Sequence, residues 1–363
     1  MSIFKKNFLT SAIALLTCAA FLNAKTFYIS AIGNNSNTGT STDAPLKSIQ
    51  KAIDKADNGD VVKIAEGVYA DKMRGDVINI TRAVTIEGGY SKDFKTRSPF
   101  ILNTIIDGEK YAPVIIELKG ENSGEEVIFD GITVDGSLHN EYKGLALGTT
   151  RIGSFSVKKI KKGAQVTIRN CLIFNGASSG ITVSGIVDGK VIIENNVLVG
   201  NTRSAINISQ LNSKGAFEIK NNTIASTYIH GQSTGTAIEY ATPYSSLNVS
   251  KNIFVNNSNG ALYVSANKHN MVSFTDNGIV STKKQVFLFK NSGIKSAKIE
   301  ELGDTELLTS NGNSMIKSPF KISSAYTKKT STIKSAKITL DEAMQFIPQK
   351  NTNTLLGAIT LKN

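Results

Sequence analysis

From residue 166 onward, apolar and polar positions recur in one frame. The copies read VTIRNCLIF from Val166, VIIENNVLV from Val191, FEIKNNTIA from Phe217, LNVSKNIFV from Leu247 and VSFTDNGIV from Val272, with starts 25, 26, 30 and 25 residues apart. A second alternating segment begins 15 residues after each start, at Ile181, Ile206, Leu262 and Phe287, and is displaced to 21 residues at Ile238. Looser copies lie upstream, in VTIEGG from Val84 and VIFDGITV from Val127, and VVKIAEGVY from Val61 reads as an opening turn. Alternation within each segment predicts strands with one buried face. A period near 25 is too short for a strand-helix-strand unit, too long for a hairpin and well under the about 40 residues of a propeller blade. It fits one coil of a parallel β-helix with two or three short strands, so the predicted class is an all-β solenoid of about eight coils stacked about 4.8 Å apart.

Five residues after each start stand Cys171, Asn196, Asn222, Asn252 and Asn277. Stacked coils superpose equal positions, so these amides are predicted to hydrogen-bond along the rod and satisfy turn backbone inside it. Cys171 then ends the ladder as a small buried residue rather than a reactive thiol. Near the N-terminus, Leu46, Ile49, Ile53 and Ala56 follow helical spacing before Asn58-Gly59, which predicts an amphipathic helix capping the first coil. After Asn291 the repeat fades into a Lys/Ser/Thr-rich stretch; Leu340 to Ile347 reads as helix and Leu355 to Ile359 as a last strand. The expected organisation is a signal peptide over 1–24, an N-terminal strand and capping helix over 25–60, coils over 61–290, and C-terminal coils and cap over 291–363.

The leader reading rests on Lys5 and Lys6 before an apolar run from Phe8 to Leu22, with a small residue offered at Ala24. The run is too short to span a membrane. The competing reading is a lipid anchor at Leu15-Leu16-Thr17-Cys18, with Thr17 against it. Either way the expected location is secreted, periplasmic or cell-surface. Processing after Ala24 leaves Cys171 alone, so no intrachain disulfide forms and packing must hold the fold. With 40% hydrophobic and 19% charged residues the chain is neither collagen-like, disordered nor a polytopic membrane protein. Its net charge of +12 falls to +10 when residues 1–24 are removed with Lys5 and Lys6, and that charge favours a polyanionic partner. No nucleic-acid partner is expected, and the chain is read as a monomer.

At particular residues the chain resembles the pectate-lyase-like superfamily of secreted right-handed parallel β-helices. These are Phe27-Tyr28-Ile29-Ser30, the Gly33 to Gly39 turn, Pro45, Ile49 to Ile53 and Gly59-Asp60, then Glu87-Gly88-Gly89-Tyr90 with Asp93-Phe94, Arg97 and Ile106-Asp107-Gly108. The resemblance implies a right-handed coil with the asparagine ladder in the turn between second and third strands, so that ITVSG is a first strand. It also implies a substrate groove on the outer face of the first sheet. That face would carry Thr182, Asn207, Glu239, Tyr263 and Leu288, alternating with inward Ile181, Ile206, Ile238, Leu262 and Phe287. Flanking loops contribute Arg203, Tyr228 and His230, and an early long coil adds His139, Glu141, Tyr142, Lys143 and Arg151. The superfamily spans lyases, hydrolases, epimerases and noncatalytic surface proteins, so the fold alone assigns no activity.

Eliminating a uronate residue requires its carboxylate neutralised, a base for the adjacent carbon acid and an acid for the leaving oxygen. His230, Tyr263, Arg203 and Glu239 are the candidate catalytic residues; Thr182, Asn207, Lys143, Arg151 and Tyr228 are the candidate substrate-binding residues. His230 lies in STYIHGQSTG, the only enlarged loop of the regular coils. A solvated polar face would show the same mixture. No metal or cofactor is expected: Glu239 is the single acid in the outward file, too few oxygens for calcium, and zinc-ligand spacing is absent. Hydrolysis lacks its paired carboxylates. Two functions follow: an exported protein that binds an acidic polysaccharide and cleaves it by β-elimination, or a noncatalytic surface or matrix-binding β-helix. Lys158, Lys159, Lys161 and Lys162, the densest basic run, read as a solvated turn.

Overall fold

The computed structural model describes residues 24–69, 78–107, 114–116, 124–136, 154–176, 179–209, 214–227, 235–242, 244–265, 271–280, 287–290, 294–297, 308–324 and 338–348. Their strands form three sheets that run the length of a parallel β-helix. Sheet I contains the first strands of the coils, among them Phe155–Val157, Ser179–Val183, Ser204–Ser209, Thr236–Ala241 and Leu262–Val264. Sheet II contains the second strands, among them Glu126–Asp130, Gln165–Arg169, Lys190–Glu194, Ala216–Lys220 and Ser246–Ser250. Sheet III contains the short third strands, such as Leu172–Phe174, Val197–Val199, Thr223–Ala225 and Ile253–Val255. Pairing is parallel except where Ile294–Ala297 returns antiparallel on Phe287–Lys290.

The register is the one the repeat predicts. Val166, Val191, Phe217, Leu247 and Val272 are successive partners in sheet II. Ile181, Ile206, Ile238 and Leu262 are successive partners in sheet I and are fully buried. The 30-residue coil keeps this register because its extra residues fall between strands. Parallel strands must pair in one register to keep every apolar side chain inside, since a one-residue slip would turn the whole set outward.

The ladder forms as a chain of amide hydrogen bonds. The backbone N–H of Asn196 donates to Asn222 Oδ1, that of Asn222 to Asn252 Oδ1, and that of Asn252 to Asn277 Oδ1, each at 2.9 Å. It runs one coil further than the repeat indicates, to Asn313. At the other end the Cys171 N–H donates to Asn196 Oδ1 at 2.9 Å, and burial pushes the Cys171 thiol up to about 12. A second, shorter set lies in the turn from sheet III to sheet I. Gly176 donates to Asn201 Oδ1 and Thr227 donates to Asn257 Oδ1, while the two amides donate to Ile173 O and Ile224 O. All four positions fall ten residues after a repeat start, a signal present in the sequence but masked by the Gly and Thr between the two asparagines.

Helix α1, Ile49–Lys55, begins where the Ser48 side chain accepts from the Lys51 N–H, and it buries Ile49, Ala52 and Ile53. At the C-terminal end, residues 316–324 and 338–347 lie along the side of the rod. The outer face of sheet III is apolar, with Leu172, Phe174, Val197, Val199, Ile253 and Val255, and it packs against Phe320, Ile338, Ala343, Phe346 and Ile347. Asn175 fastens this segment by donating to Ile338 O and accepting from Ile338 N–H, both at 2.9 Å. Helix α2, Leu340–Met344, follows, with a capping box between Thr339 and Glu342. No described helix is long and apolar enough to cross a membrane. Residues 1–23 of the expected leader and the expected strand at 355–359 lie outside the described residues.

Candidate functional site

In sheet I, Ser156, Thr182, Asn207, Glu239, Tyr263 and Leu288 are successive register partners. Their neighbours Ile181, Ile206, Ile238 and Leu262 belong to the core, so alternation turns the polar file to the outer face. The file is graded. Ser156 and Thr182 are buried and their hydroxyls have no hydrogen-bond partner. Asn207 is also buried, whereas Glu239 and Tyr263 are partly open. Ser156 escaped the sequence reading because its strand precedes the regular repeat; the alternation Phe155-Ser156-Val157 was its only signal.

Arg203 enters the site from the turn before Ser204–Ser209. Its φ is 67°, a left-handed backbone that favours glycine, and its carbonyl accepts from Gly235 N–H in the next coil, where Gly235 has φ 65°. The side chain lies against Glu239, with Nε 3.9 Å from Glu239 Oε2. That separation is an ion pair and not a hydrogen bond, and the buried Nε has no hydrogen-bond partner. The Tyr263 phenol is raised above its usual range by burial and by the charge of Glu239, against a hydrogen bond with Ser265. Tyr263 is therefore a proton donor at neutral pH, and its role as a base is disfavoured.

The structure thus brings Arg203, Asn207, Glu239 and Tyr263 together and places Thr182 at the closed end of the same file. Tyr228, His230, Lys143 and Arg151, with His139, Glu141 and Tyr142, lie outside the described residues. No set of three or more His, Cys, Asp or Glu positioned to hold a metal occurs among the described residues. What remains is a guanidinium with an unsatisfied N–H, a carboxylate and a phenol donor on neighbouring coils, a pattern suited to a polar chain lying along the rod axis.

The Glu87-to-Arg97 motif builds a second polar cluster, on sheet II. Buried Asp130 pairs with Arg97 Nη2 and Arg169 Nε, each at 2.7 Å, and accepts from Asn170 Nδ2 at 2.7 Å. Arg97 also donates to Gly88 O at 3.0 Å, and Tyr90 donates to Glu87 at 2.6 Å. Burial alone would raise the Asp130 carboxyl, but the arginines and the amide hold it below the usual range. A Cβ on Gly88 would come within 2.5 Å of Gly131 O, so glycine is required for this close approach. Arg97 and Arg169 both bind the buried Asp130 from different coils, which makes the cluster a clasp between coils.

Three parallel sheets, one residue file per coil position and an internal asparagine ladder define the class: the described residues form a parallel β-helix. Residues 130–277 match the family described as right handed beta helix region. No curated protein matches the chain. Among solved structures it is similar to pectate lyase Pel9A, with 10% identity and a TM-score of 0.42 over 92% of this chain and 89% of that one. A rhamnogalacturonan lyase gives 13% identity and a TM-score of 0.34 over 75% and 78%. A GH136 lacto-N-biosidase from Eubacterium ramulus gives 10% and 0.37 over 81% and 67%. Likenesses at this level assign neither substrate nor reaction.

Proposed function

We propose that the outer face of sheet I binds an acidic polysaccharide outside the cytoplasm, with Arg203 as the contact to a sugar carboxylate. The observation that carries this reading is the buried Arg203 Nε, which has no hydrogen-bond partner although it sits beside Glu239 in a left-handed backbone position. A buried donor left unmatched costs about 1–3 kcal/mol, and a carboxylate ligand would recover it through a charge-assisted bond. Glu239 and Asn207 then offer acceptors and donors to sugar hydroxyls, and Tyr263 offers its phenol proton. Loss of residues 1–24, which carry Lys5 and Lys6 and no acid, takes the chain's net charge from +12 to +10, and that charge adds long-range attraction for a polyanion. Export follows from reading residues 1–24 as a leader.

The reading is of binding. Elimination needs a base, and of the described residues on this face Tyr263 is held protonated and Arg203 is paired with Glu239. The test is titration of the full chain with polygalacturonate and with a neutral glucan, monitored by calorimetry. Binding of the acidic polymer alone is expected, weakened by salt and by Arg203→Ala. Equal binding of the neutral glucan, or no effect of Arg203→Ala, would refute it. Ultraviolet-absorbing unsaturated product in the same mixtures would add a lyase activity and direct the search for its base to Tyr228 and His230.

A further inference from the structure

The corner between sheets I and II carries a feature that the groove does not use. The turns from sheet I to sheet II stack on one another: Ile160 N–H donates to Ile186 O, Asp188 N–H to Ile160 O, Lys214 N–H to Asp188 Oδ1, and Ser246 N–H to Gly215 O. Four consecutive coils thus align the turns 158–164, 184–189, 214–215 and 244–245 on one edge of the rod. Lys159, Lys161, Lys162 and Lys214 are exposed there, and Lys158 is partly so. Among the described residues of these turns the carboxylates are Asp188, which accepts from Lys214 N–H, and Glu125, which accepts from Asn58 on the adjoining turn. Exposed lysines outnumber them there. On the same edge, Ile186 is 62% exposed and Tyr244 54% exposed. They stand two coils apart, about 10 Å along the axis.

Exposed apolar side chains scattered singly need no explanation, but these two sit on a convex ridge with a dense basic run. Lysines on such a ridge are attracted to an anionic surface, while a projecting isoleucine and an amphipathic tyrosine enter the boundary between headgroups and acyl chains. An isoleucine tip has nothing to offer a sugar chain, and a convex corner does not cradle one. We infer that the Lys158–Lys162, Ile186, Lys214 and Tyr244 ridge docks the rod on an anionic lipid bilayer. The rod would lie with this corner on the membrane, and the sheet I face, which adjoins the ridge, would stay at the membrane surface.

The experiment is co-sedimentation of the full chain with vesicles of phosphatidylcholine alone and with about 30 mol% phosphatidylglycerol. Binding is expected only to the anionic vesicles, falling as salt shortens the screening length. Lys159→Glu with Lys162→Glu should weaken it about tenfold or more, as expected for charges near the surface. Ile186→Ser should weaken it about three- to tenfold, since a buried side-chain apolar contact is lost, with no change in melting temperature. Equal binding to neutral vesicles, insensitivity to the lysine pair, or insensitivity to Ile186→Ser would overturn the inference. So would retention on immobilised polygalacturonate that is lost in the lysine pair but kept in Ile186→Ser, which would make the ridge a glycan contact. Arg203→Ala leaves vesicle binding intact if the ridge acts independently of the groove, so the two readings fail separately.

Discussion

Arg203 occupies a backbone conformation that costs a side-chain-bearing residue about 1–2 kcal/mol, at the position where the next coil has Gly235. Structure alone would be better served by glycine there. Arg203→Gly is accordingly expected to hold or raise the melting temperature while abolishing the salt-sensitive component of polygalacturonate binding. A structural role for the guanidinium predicts the reverse, and thermal melts beside calorimetry separate the two. Cys171 gives the opposite case, a chemically notable residue with a packing role. Its buried thiol, raised to about 12, should resist alkylation in the native protein and react only on unfolding. Cys171→Asn should be tolerated or stabilising by up to about 1 kcal/mol, because it adds a rung whose amide reaches the Phe129 carbonyl now facing Sγ at 3.9 Å.

At the scale of elements, the ladder and the strand register carry separable loads. Asn222 accepts from Asn196 N–H and Nδ2 and donates to Ile193 O and Asn252 Oδ1. Asn222→Leu removes all four bonds and leaves buried turn groups unmatched, so a loss of about 1–3 kcal/mol per orphaned group is expected in denaturant titration. Ile206→Asp places a charge inside the coil and should cost several kcal/mol, whereas Asn207→Ser, one residue away on the outer face, should cost less than about 1 kcal/mol. Comparable losses would contradict the register. Sequence periodicity sufficed for both elements because period-2 alternation and the 25-residue repeat act on the same residues. The second asparagine set was less legible, since only two of its four positions carry the amide that makes it visible.

The whole molecule is held by packing and by the Asp130 clasp between coils. Because the folded Asp130 carboxyl is held low, the unfolded chain binds more protons between the two pKa values, and the clasp contributes stability above the ordinary Asp value of about 3.9. That contribution disappears as pH falls through the lowered folded value. The melting temperature should therefore drop steeply below about pH 4, and Asp130→Asn should lower stability at pH 7 while flattening the acid dependence. Calorimetry of both proteins across that range checks the sign. Residues 316–324 and 338–347 act at the same scale, by covering an apolar sheet III face that would otherwise meet water.

The sequence by itself determined the coil, its register, the ladder and the outward file, because repeated short-range patterns on a solenoid project directly onto stacked positions. Only the tertiary structure decided which members of that file are closed and which are open. Ser156 and Thr182 look no different from Asn207 or Glu239 in a strand pattern, yet the fold buries them and leaves their hydroxyls without hydrogen-bond partners. The left-handed turn that aims Arg203 at Glu239, and the burial and Glu239 charge that raise the Tyr263 phenol, arise between residues 24 to 36 positions apart in sequence. The placement of residues 316–324 and 338–347 was equally out of reach. Their apolar residues are too sparse to form a repeat, and their place is set by shape and by the Asn175 to Ile338 pair, a contact spanning 163 positions.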